Sequence, residues 1–237
     1  GHGSWVSSAV VGADGIAPNA TLMAYRALDS EGSGSTSDIK AAIARADRNG
    51  ADILVMSLGS PVYSDAMASE LKHALSEDGN VTGAFIAVGN SYTTTRYVSS
   101  PADVETVIGV TATNGVNASA AQKAYFANIG PDHGLDKSGG RTHGVQPDTA
   151  APGMEMRTQV FTEDGRLVNR TLSGTSMATP IAAGVGALLL EAEPGLKGQP
   201  TEFHDRIVNS GSHTPNLGVT ESAGGMVNAS RAINGYS

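Results

Sequence analysis

The chain has 237 residues, enough for one sizeable domain, and its composition does not change abruptly anywhere along its length. Its 30 glycines and only 16% charged residues are typical of a compact α/β protein with many tight turns, and they exclude a coiled coil or a disordered tail. A formal net charge of −8, with only 15 lysines and arginines, leaves no basic face for nucleic acid, and the absence of cysteine excludes disulfides, thiolate catalysis and cysteine-bound zinc.

Four short apolar runs rich in Leu, Ile, Val and Met are the predicted strands. They lie at residues 20–27, 52–58, 84–89 and 106–111. Continuous hydrophobicity over such short lengths is typical of parallel strands that are covered on both faces. Helices are predicted at residues 37–49, 64–75 and 181–190. The alternation predicts an α/β fold with a doubly wound, mostly parallel sheet, in which the ligand site lies beyond the carboxyl ends of the strands.

The apolar stretch at residues 181–190 is too short to span a bilayer and contains Gly184 and Gly186, so no membrane span is expected. The chain opens on Gly1 without an initiator methionine, and its first residues do not read as a signal peptide. We therefore expect that upstream sequence has been removed or lies outside this chain.

The strongest chemical motif is the string Leu-Ser-Gly-Thr-Ser-Met-Ala-Thr-Pro at residues 172–180, directly before the apolar helix. Glycine and small residues allow the backbone to turn sharply into a helix, which places Ser176 near the helix N-terminus. Free N–H groups and the helix dipole stabilise developing negative charge there, which suits a nucleophile of acyl transfer. The residues alone leave open that Ser176 is an ordinary serine that caps a buried helix.

The longer string Gly-Thr-Ser-Met-Ala-Thr-Pro resembles the nucleophile motif of the subtilisin family of serine proteases. Three further segments resemble motifs of that family in the right order: Gly-His-Gly-Ser-Trp-Val at 1–6, Ser-Leu-Gly-Ser-Pro at 57–61 and Ala-Val-Gly-Asn at 87–90. Supporting matches lie at 15–20, 146–153 and 224–229. The resemblance runs from the first residue to the last, and it implies one subtilisin-like peptidase catalytic domain over residues 1–237 with the three-layer subtilisin-like fold.

The resemblance implies three catalytic roles. His2 is the general base that takes the proton from Ser176 Oγ, and an unperturbed histidine pKa of about 6.5 suits this transfer near neutral pH. The side chain of Asn90 and the backbone N–H of Ser176 stabilise the tetrahedral oxyanion. Without the resemblance, His2 is a surface histidine at the chain start and Asn90 is a turn residue.

The resemblance also implies a cleft in which an extended peptide pairs with two edges of the protein. The implied substrate-binding residues are Gly32, Ser33 and Gly34 on one edge, Ser57, Leu58 and Gly59 on the other, and Ala87, Val88 and Gly89 in the first specificity pocket. The residues themselves leave open that 32–34 are only a flexible loop. No acidic side chain occurs in the last two segments, which predicts cleavage after a large apolar residue.

The main departure from the family is the triad aspartate. In subtilisins the aspartate precedes the histidine in the chain. Only Gly1 precedes His2 here, and Asp14 and Asp29 follow the histidine without matching an aspartate motif. We therefore expect the chain to lack both the aspartate and the first strand of the sheet, which carries it.

The other histidines match no motif of the family and have no metal-ligand spacing. We expect the following to be solvated: His73, His133, His143, His204 and His213. The turn at residues 11–15 is short where many relatives insert a calcium-binding loop. Neither a metal site nor a cofactor is predicted.

The leading hypothesis is an extracellular or cell-envelope serine endopeptidase that acts through an acyl-enzyme on protein or peptide substrates, with an upstream propeptide as a candidate partner. Without the aspartate, residues 1–237 alone are expected to have little or no activity. The alternative is a catalytically inactive, peptide-binding subtilase-like domain. An α/β-hydrolase esterase is excluded, because the Gly-x-Ser-x-Gly elbow is absent around Ser176 and the histidine would have to come last.

Overall fold

The structure is a computed structural model that describes residues 1–130, 146–162 and 164–235. Its helices are α1 (His2–Val11), α2 (Thr36–Arg48), α3 (Asp65–Ala74), α4 (Thr175–Ala192), α5 (Pro200–Asn209) and α6 (Ala229–Asn234), with a 3₁₀ turn at Pro194–Leu196. Its strands are β1 (Ile53–Met56), β2 (Gly83–Ala87), β3 (Ile108–Thr113), β4 (Thr149–Pro152), β5 (Met156–Phe161) and β6 (Leu167–Leu172).

Four parallel strands form the central sheet in the order β1-β2-β3-β4. Its side chains alternate between the two faces. Leu54 and Met56 of β1 pack in one cluster with α2 and α3, whereas Ile53 and Val55 pack in another with α4, α5 and α6. Because helices cover both faces, the strands are apolar at nearly every position. The predicted three-layer fold is confirmed.

The predicted helices at 37–49 and 64–75 are confirmed as α2 and α3, with each end shifted by one residue. Serine side chains cap both helices, as the sequence before them favours. Ser35 Oγ accepts a hydrogen bond from the Asp38 N–H at 3.1 Å, and Ser64 Oγ accepts one from the Met67 N–H at 3.4 Å. The packing of both helices on the sheet fixes the positions of the loops that follow β1 and β2.

The predicted strand at 20–27 is wrong, whereas the other three predicted strands are confirmed as β1, β2 and β3. Residues 21–27 belong to no helix or strand, and Leu22 and Met23 are 50% and 43% exposed. A strand needs a neighbour for its N–H and C=O groups, and no strand of the described residues pairs with this segment. A cleft of about 970 Å³ opens between this segment and α2.

Helix α4 forms the centre of one helical layer. Its 18 residues have a mean hydropathy of 1.3, so by length and composition it could cross a membrane, although 61% of it is buried within the fold as in a core helix. The helix is longer than the apolar stretch at 181–190. Gly186 is required by packing, because a Cβ there would lie 2.8 Å from the ring of Phe85 on β2.

Candidate active site

The start of α4 and the carboxyl ends of β1, β2 and β4 meet at one edge of the sheet. Ser176 is the second residue of α4, while Ser57 directly follows β1. The Gly174 N–H donates to the Gly153 carbonyl at 2.8 Å, which ties the start of α4 to the end of β4. A Cβ on Gly153 would lie 2.8 Å from the Gly174 oxygen, so this approach requires glycine. The site therefore lies beyond the carboxyl ends of the strands, where ligands bind in parallel sheets.

The amide of Asn90 is oriented by Thr175. Asn90 Oδ1 accepts hydrogen bonds from the Thr175 N–H at 2.8 Å and from the Thr175 hydroxyl at 3.0 Å. The Gly89 N–H donates to the same hydroxyl at 3.3 Å. Because the amide oxygen is engaged, the NH₂ group of Asn90 is the free end of the side chain. It lies beside the first turn of α4, where backbone N–H groups have no partner within the helix.

Ser57 and Ser176 are joined by two hydrogen bonds that run in opposite directions. Ser57 Oγ donates to the Ser176 carbonyl at 2.9 Å, and Ser176 Oγ donates to the Ser57 carbonyl at 3.3 Å. Both residues are half-buried. In the described part of the chain, the Ser176 hydroxyl makes no hydrogen bond with His2.

His2 begins α1, which is held against the start of α4 by Trp5. The Trp5 side chain is 2% exposed and packs with Met177 of α4 and Val160 of β5. Its indole N–H donates to the Arg170 carbonyl on β6 at 3.2 Å. His2 and Trp5 are one turn apart and share a face of α1. Helix α1 therefore lies against α4 and β5, with His2 exposed at its first residue.

The pKa of His2 lies below its ordinary value. Partial burial of the ring is the main cause. No carboxylate raises it, and within the described ranges His2 has no ion pair with an acidic side chain.

Asp29 closes a turn that contains the proposed cleft edge at Gly32, Ser33 and Gly34. Its carboxylate accepts hydrogen bonds from the Glu31 and Ser33 N–H groups, both at 2.9 Å, and these bonds lower its pKa. The Asp29 N–H donates to the Ser33 carbonyl at 2.8 Å. Both backbone groups of Ser33 are thus engaged within the turn, which is exposed and adopts a positive φ of 81° at Gly32.

The proposed first specificity pocket is lined by backbone. Ala87 and Val88 are 3% and 0% exposed, so their side chains belong to the core. Gly59 and Gly89 both pack against Ser99, because a Cβ on Gly59 would lie 3.2 Å from the Ser99 Cβ, and one on Gly89 would lie 2.4 Å from its Oγ. Leu58 is partly buried in the α2/α3 cluster.

Asn128 holds Ser99 in place. Its side-chain N–H groups donate to the Ser99 hydroxyl at 3.2 Å and to the Tyr97 carbonyl at 2.7 Å, while its oxygen accepts from the Ser91 N–H at 2.7 Å. The sequence reasoning did not identify Ser99 or Asn128, since no local pattern marks them. Thr175 was also missed, although it adjoins Ser176 in the motif.

The prediction that the remaining histidines are solvated is wrong for His204. Its side chain is 25% exposed, and its Nε2 lies 3.5 Å from the carboxylate of Asp148. Burial by itself lowers the pKa of His204, but the carboxylates of Asp148 and Asp205 outweigh it and raise the pKa above the ordinary value. His73 and His213 are exposed, and His133 and His143 lie outside the described residues. Among the described residues no group of His, Asp and Glu could hold a metal ion.

The layered parallel sheet, with Ser57, Asn90 and Ser176 at one edge, defines a subtilisin-like α/β protein. Two solved structures share the fold. A cold adapted subtilisin-like serine proteinase has a TM-score of 0.71 and 28% identity, over 96% of this chain and 72% of that chain. Sphericase has a TM-score of 0.74 and 27% identity, over 89% of this chain and 69% of that chain.

The sequence comparisons agree with the structural ones. The model of the subtilase family, Peptidase_S8, matches residues 1–229, and the chain belongs to this family of serine endopeptidases. Subtilisin DY of Bacillus licheniformis is 30% identical over 98% of this chain and 77% of its own length. Subtilisin NAT of Bacillus subtilis subsp. natto is 32% identical over 91% of this chain, which spans only 51% of that relative.

Proposed function

We propose that this chain supplies the nucleophile, the general base and the oxyanion donors of a serine endopeptidase. The observation that carries the proposal is the anchored amide of Asn90. Thr175, the neighbour of Ser176, holds Asn90 Oδ1 at 2.8 and 3.0 Å, which leaves the amide N–H groups free beside the Ser176 N–H. Two donors that are oriented before substrate binds are what a developing oxyanion needs.

In the proposed reaction, Ser176 Oγ attacks the scissile carbonyl carbon while His2 takes the hydroxyl proton. The carbonyl oxygen becomes an oxyanion between the Asn90 amide and the Ser176 N–H. The tetrahedral intermediate then collapses, and His2 gives its proton to the leaving amine. A water molecule, deprotonated by His2, releases the peptide acid from the acyl-enzyme and restores the Ser176 hydroxyl.

The aspartate that orients His2 comes, in this proposal, from outside residues 1–237, on a strand next to β1. Three observations support it. In the described residues β1 pairs only with β2, residues 21–27 pair with no strand, and a cleft of about 970 Å³ lies between that segment and α2. Tyr25, Ala27 and Leu28 pack in the same cluster as Leu54 and Met56 of β1, so the segment lies near β1 without pairing with it.

The proposed substrates are proteins or peptides, bound in extended form between residues 57–59 and residues 32–34. Pairing with Ser33 requires that its backbone groups release their hydrogen bonds to Asp29. We also propose that the protein acts outside the cell or in the cell envelope, with an upstream propeptide as a partner. The similarity to subtilisins supports both proposals. The absence of cysteine is compatible with export, although it does not require it.

A second candidate is a subtilase-like domain that binds peptides without cleaving them. One observation favours it. The Ser176 hydroxyl donates to the Ser57 carbonyl at 3.3 Å, and in the described part of the chain neither a carboxylate nor Ser176 is hydrogen-bonded to His2. A nucleophile in this arrangement is not activated.

The deciding experiment is hydrolysis of a chromogenic peptide by the protein extended upstream through the aspartate. Ser176→Ala should abolish hydrolysis. Ser173→Ala is the matched control, because Ser173 belongs to the same motif but its hydroxyl only accepts from the Glu155 N–H at 2.9 Å. Equal loss in both variants, or hydrolysis that persists in Ser176→Ala, would reject the proposed nucleophile. Peptide binding without any hydrolysis by the wild type would favour the second candidate.

A further inference from the structure

The hydroxyl of Ser57 contacts a carbonyl of α4 that lacks its usual N–H donor four residues further along the helix. In an α-helix the carbonyl of residue i accepts from the N–H of residue i+4. For Ser176 that residue is Pro180, which has no N–H and whose ring crowds the carbonyl four residues before it. Ser57 Oγ donates to this carbonyl at 2.9 Å, so it fills the place of the missing donor.

The surroundings make this donor hard to replace. Pro180 is buried, and Ser57 and Ser176 are half-buried, so water has limited access to the carbonyl. The return bond from Ser176 Oγ to the Ser57 carbonyl at 3.3 Å closes a ring between the end of β1 and the start of α4. The residue that bears the nucleophile is therefore fixed from β1 through its backbone as well as through its hydroxyl.

We propose that Ser57 is a positioning residue: its hydroxyl holds the Ser176 carbonyl that Pro180 leaves unpaired, and thereby sets the location of the nucleophile at the start of α4. This inference rests on the proposed function of Ser176. It gives Ser57 a role that is separate from contact with the substrate. The return bond must break when Ser176 Oγ turns to His2, whereas the bond to the Ser176 carbonyl persists through the reaction.

The test is a double-mutant cycle of Ser57→Ala and Pro180→Ala in the protein extended upstream through the aspartate. Ser57→Ala should lower kcat about 10- to 100-fold with KM nearly unchanged, because displacement of a reacting group by a fraction of an ångström has effects of that size. Pro180→Ala supplies a backbone N–H for the Ser176 carbonyl. In the Pro180→Ala background, the fold-decrease in kcat caused by Ser57→Ala should therefore be less than about one third of the fold-decrease in the wild-type background. Ser57→Thr, which keeps a hydroxyl, should recover most of the lost kcat.

A second readout does not depend on activity. Ser57→Ala should lower Tm by roughly 2–4 °C, the shift for one lost hydrogen bond in a domain of this size, and by less when Pro180 is replaced as well. Equal effects of Ser57→Ala in the two backgrounds, in both kcat and Tm, would overturn the inference. So would a change confined to KM, which would make Ser57 a substrate contact. If the wild type does not hydrolyse peptides, the proposed function is rejected. The Tm values of the wild type, the two single variants and the double variant still test the inference about Ser57.

Discussion

Asn90 and Thr175 are 85 residues apart in sequence, yet the amide oxygen of Asn90 accepts both the N–H and the hydroxyl of Thr175. The pairing decides which end of the amide is free. With its oxygen engaged, Asn90 can only donate to a ligand in the site. Thr175 therefore orients the proposed oxyanion donor.

Replacement of Asn90 by Ala should lower kcat about 10²- to 10³-fold with little change in KM, a value adopted from the loss known for the oxyanion asparagine in subtilisin itself. Thr175→Val keeps the N–H bond to Asn90 Oδ1 and removes only the hydroxyl bond, so its loss should be about tenfold. Steady-state kinetics of both variants give the comparison. A larger loss in Thr175→Val than in Asn90→Ala would mean that Thr175 acts on the substrate directly.

The contact between His204 and Asp148 predicts a pH-dependent stability. The pKa of His204 is raised in the folded protein, so its contribution is fully present below the unfolded pKa of about 6.5 and is lost as the pH rises through the folded value. We expect Tm of the wild type to exceed that of His204→Gln at pH 5.5, and the difference to vanish at alkaline pH. His204→Arg should keep its stability across this range, because arginine stays charged. A Tm difference between the wild type and His204→Gln that grows with rising pH would contradict a stabilising contact between protonated His204 and Asp148.

The packing of Ser99 against Gly59 and Gly89 allows a test of the proposed first specificity pocket. Residues 57–59 and 87–89, which are proposed to line it, include no acidic side chain. Cleavage should favour an apolar residue before the scissile bond, and Ser99→Gly should raise kcat/KM for aromatic over small aliphatic residues about tenfold, the scale of one added methylene. Profiling with a peptide library measures both effects. A strong preference for Lys or Arg in the wild type would show that the pocket lies elsewhere.

Local patterns in the sequence predicted much of the fold. The predicted helices at residues 37–49 and 64–75 agree with α2 and α3 to within one residue at each end, since helix ends depend on groups that are neighbours in the chain. The segment at residues 20–27 is equally apolar, but strand formation depends on a partner strand, and the described residues supply none. The apolar character of a segment does not show whether a partner strand is present.

The candidate site was predictable where its residues belong to compact motifs, as Ser176 and Asn90 do. Ser99, Asn128 and the His204–Asp148 pair were not predictable. Ser99 and Asn128 are 29 residues apart and meet only because the chain folds back beneath Gly89. His204 was expected to be solvated because no sequence pattern links α5 to the residue before β4. These contacts are set by tertiary packing alone.

The proposal that the triad aspartate lies upstream predicts a difference between residues 1–237 and a protein extended through that aspartate. Residues 1–237 alone should show at most weak hydrolysis, because removal of the aspartate from subtilisin is known to cost about 3 × 10⁴ in turnover, a value adopted here. The extension should also raise Tm, since it completes the side of the sheet next to β1. Activity with a chromogenic peptide and thermal unfolding are measured side by side. Equal activity in the two proteins would mean that another carboxylate serves His2.

The most direct test of the central claim is the location of the adduct formed with a peptidyl fluorophosphonate, determined by mass spectrometry of the extended protein. The account predicts a single adduct on Ser176 Oγ, formed faster as His2 loses its proton with rising pH, and no adduct in Ser176→Ala. His2→Ala should slow the labelling without moving its position. An adduct on any other residue, or labelling of Ser176→Ala at the rate of the wild type, would contradict the assignment of Ser176 as the nucleophile.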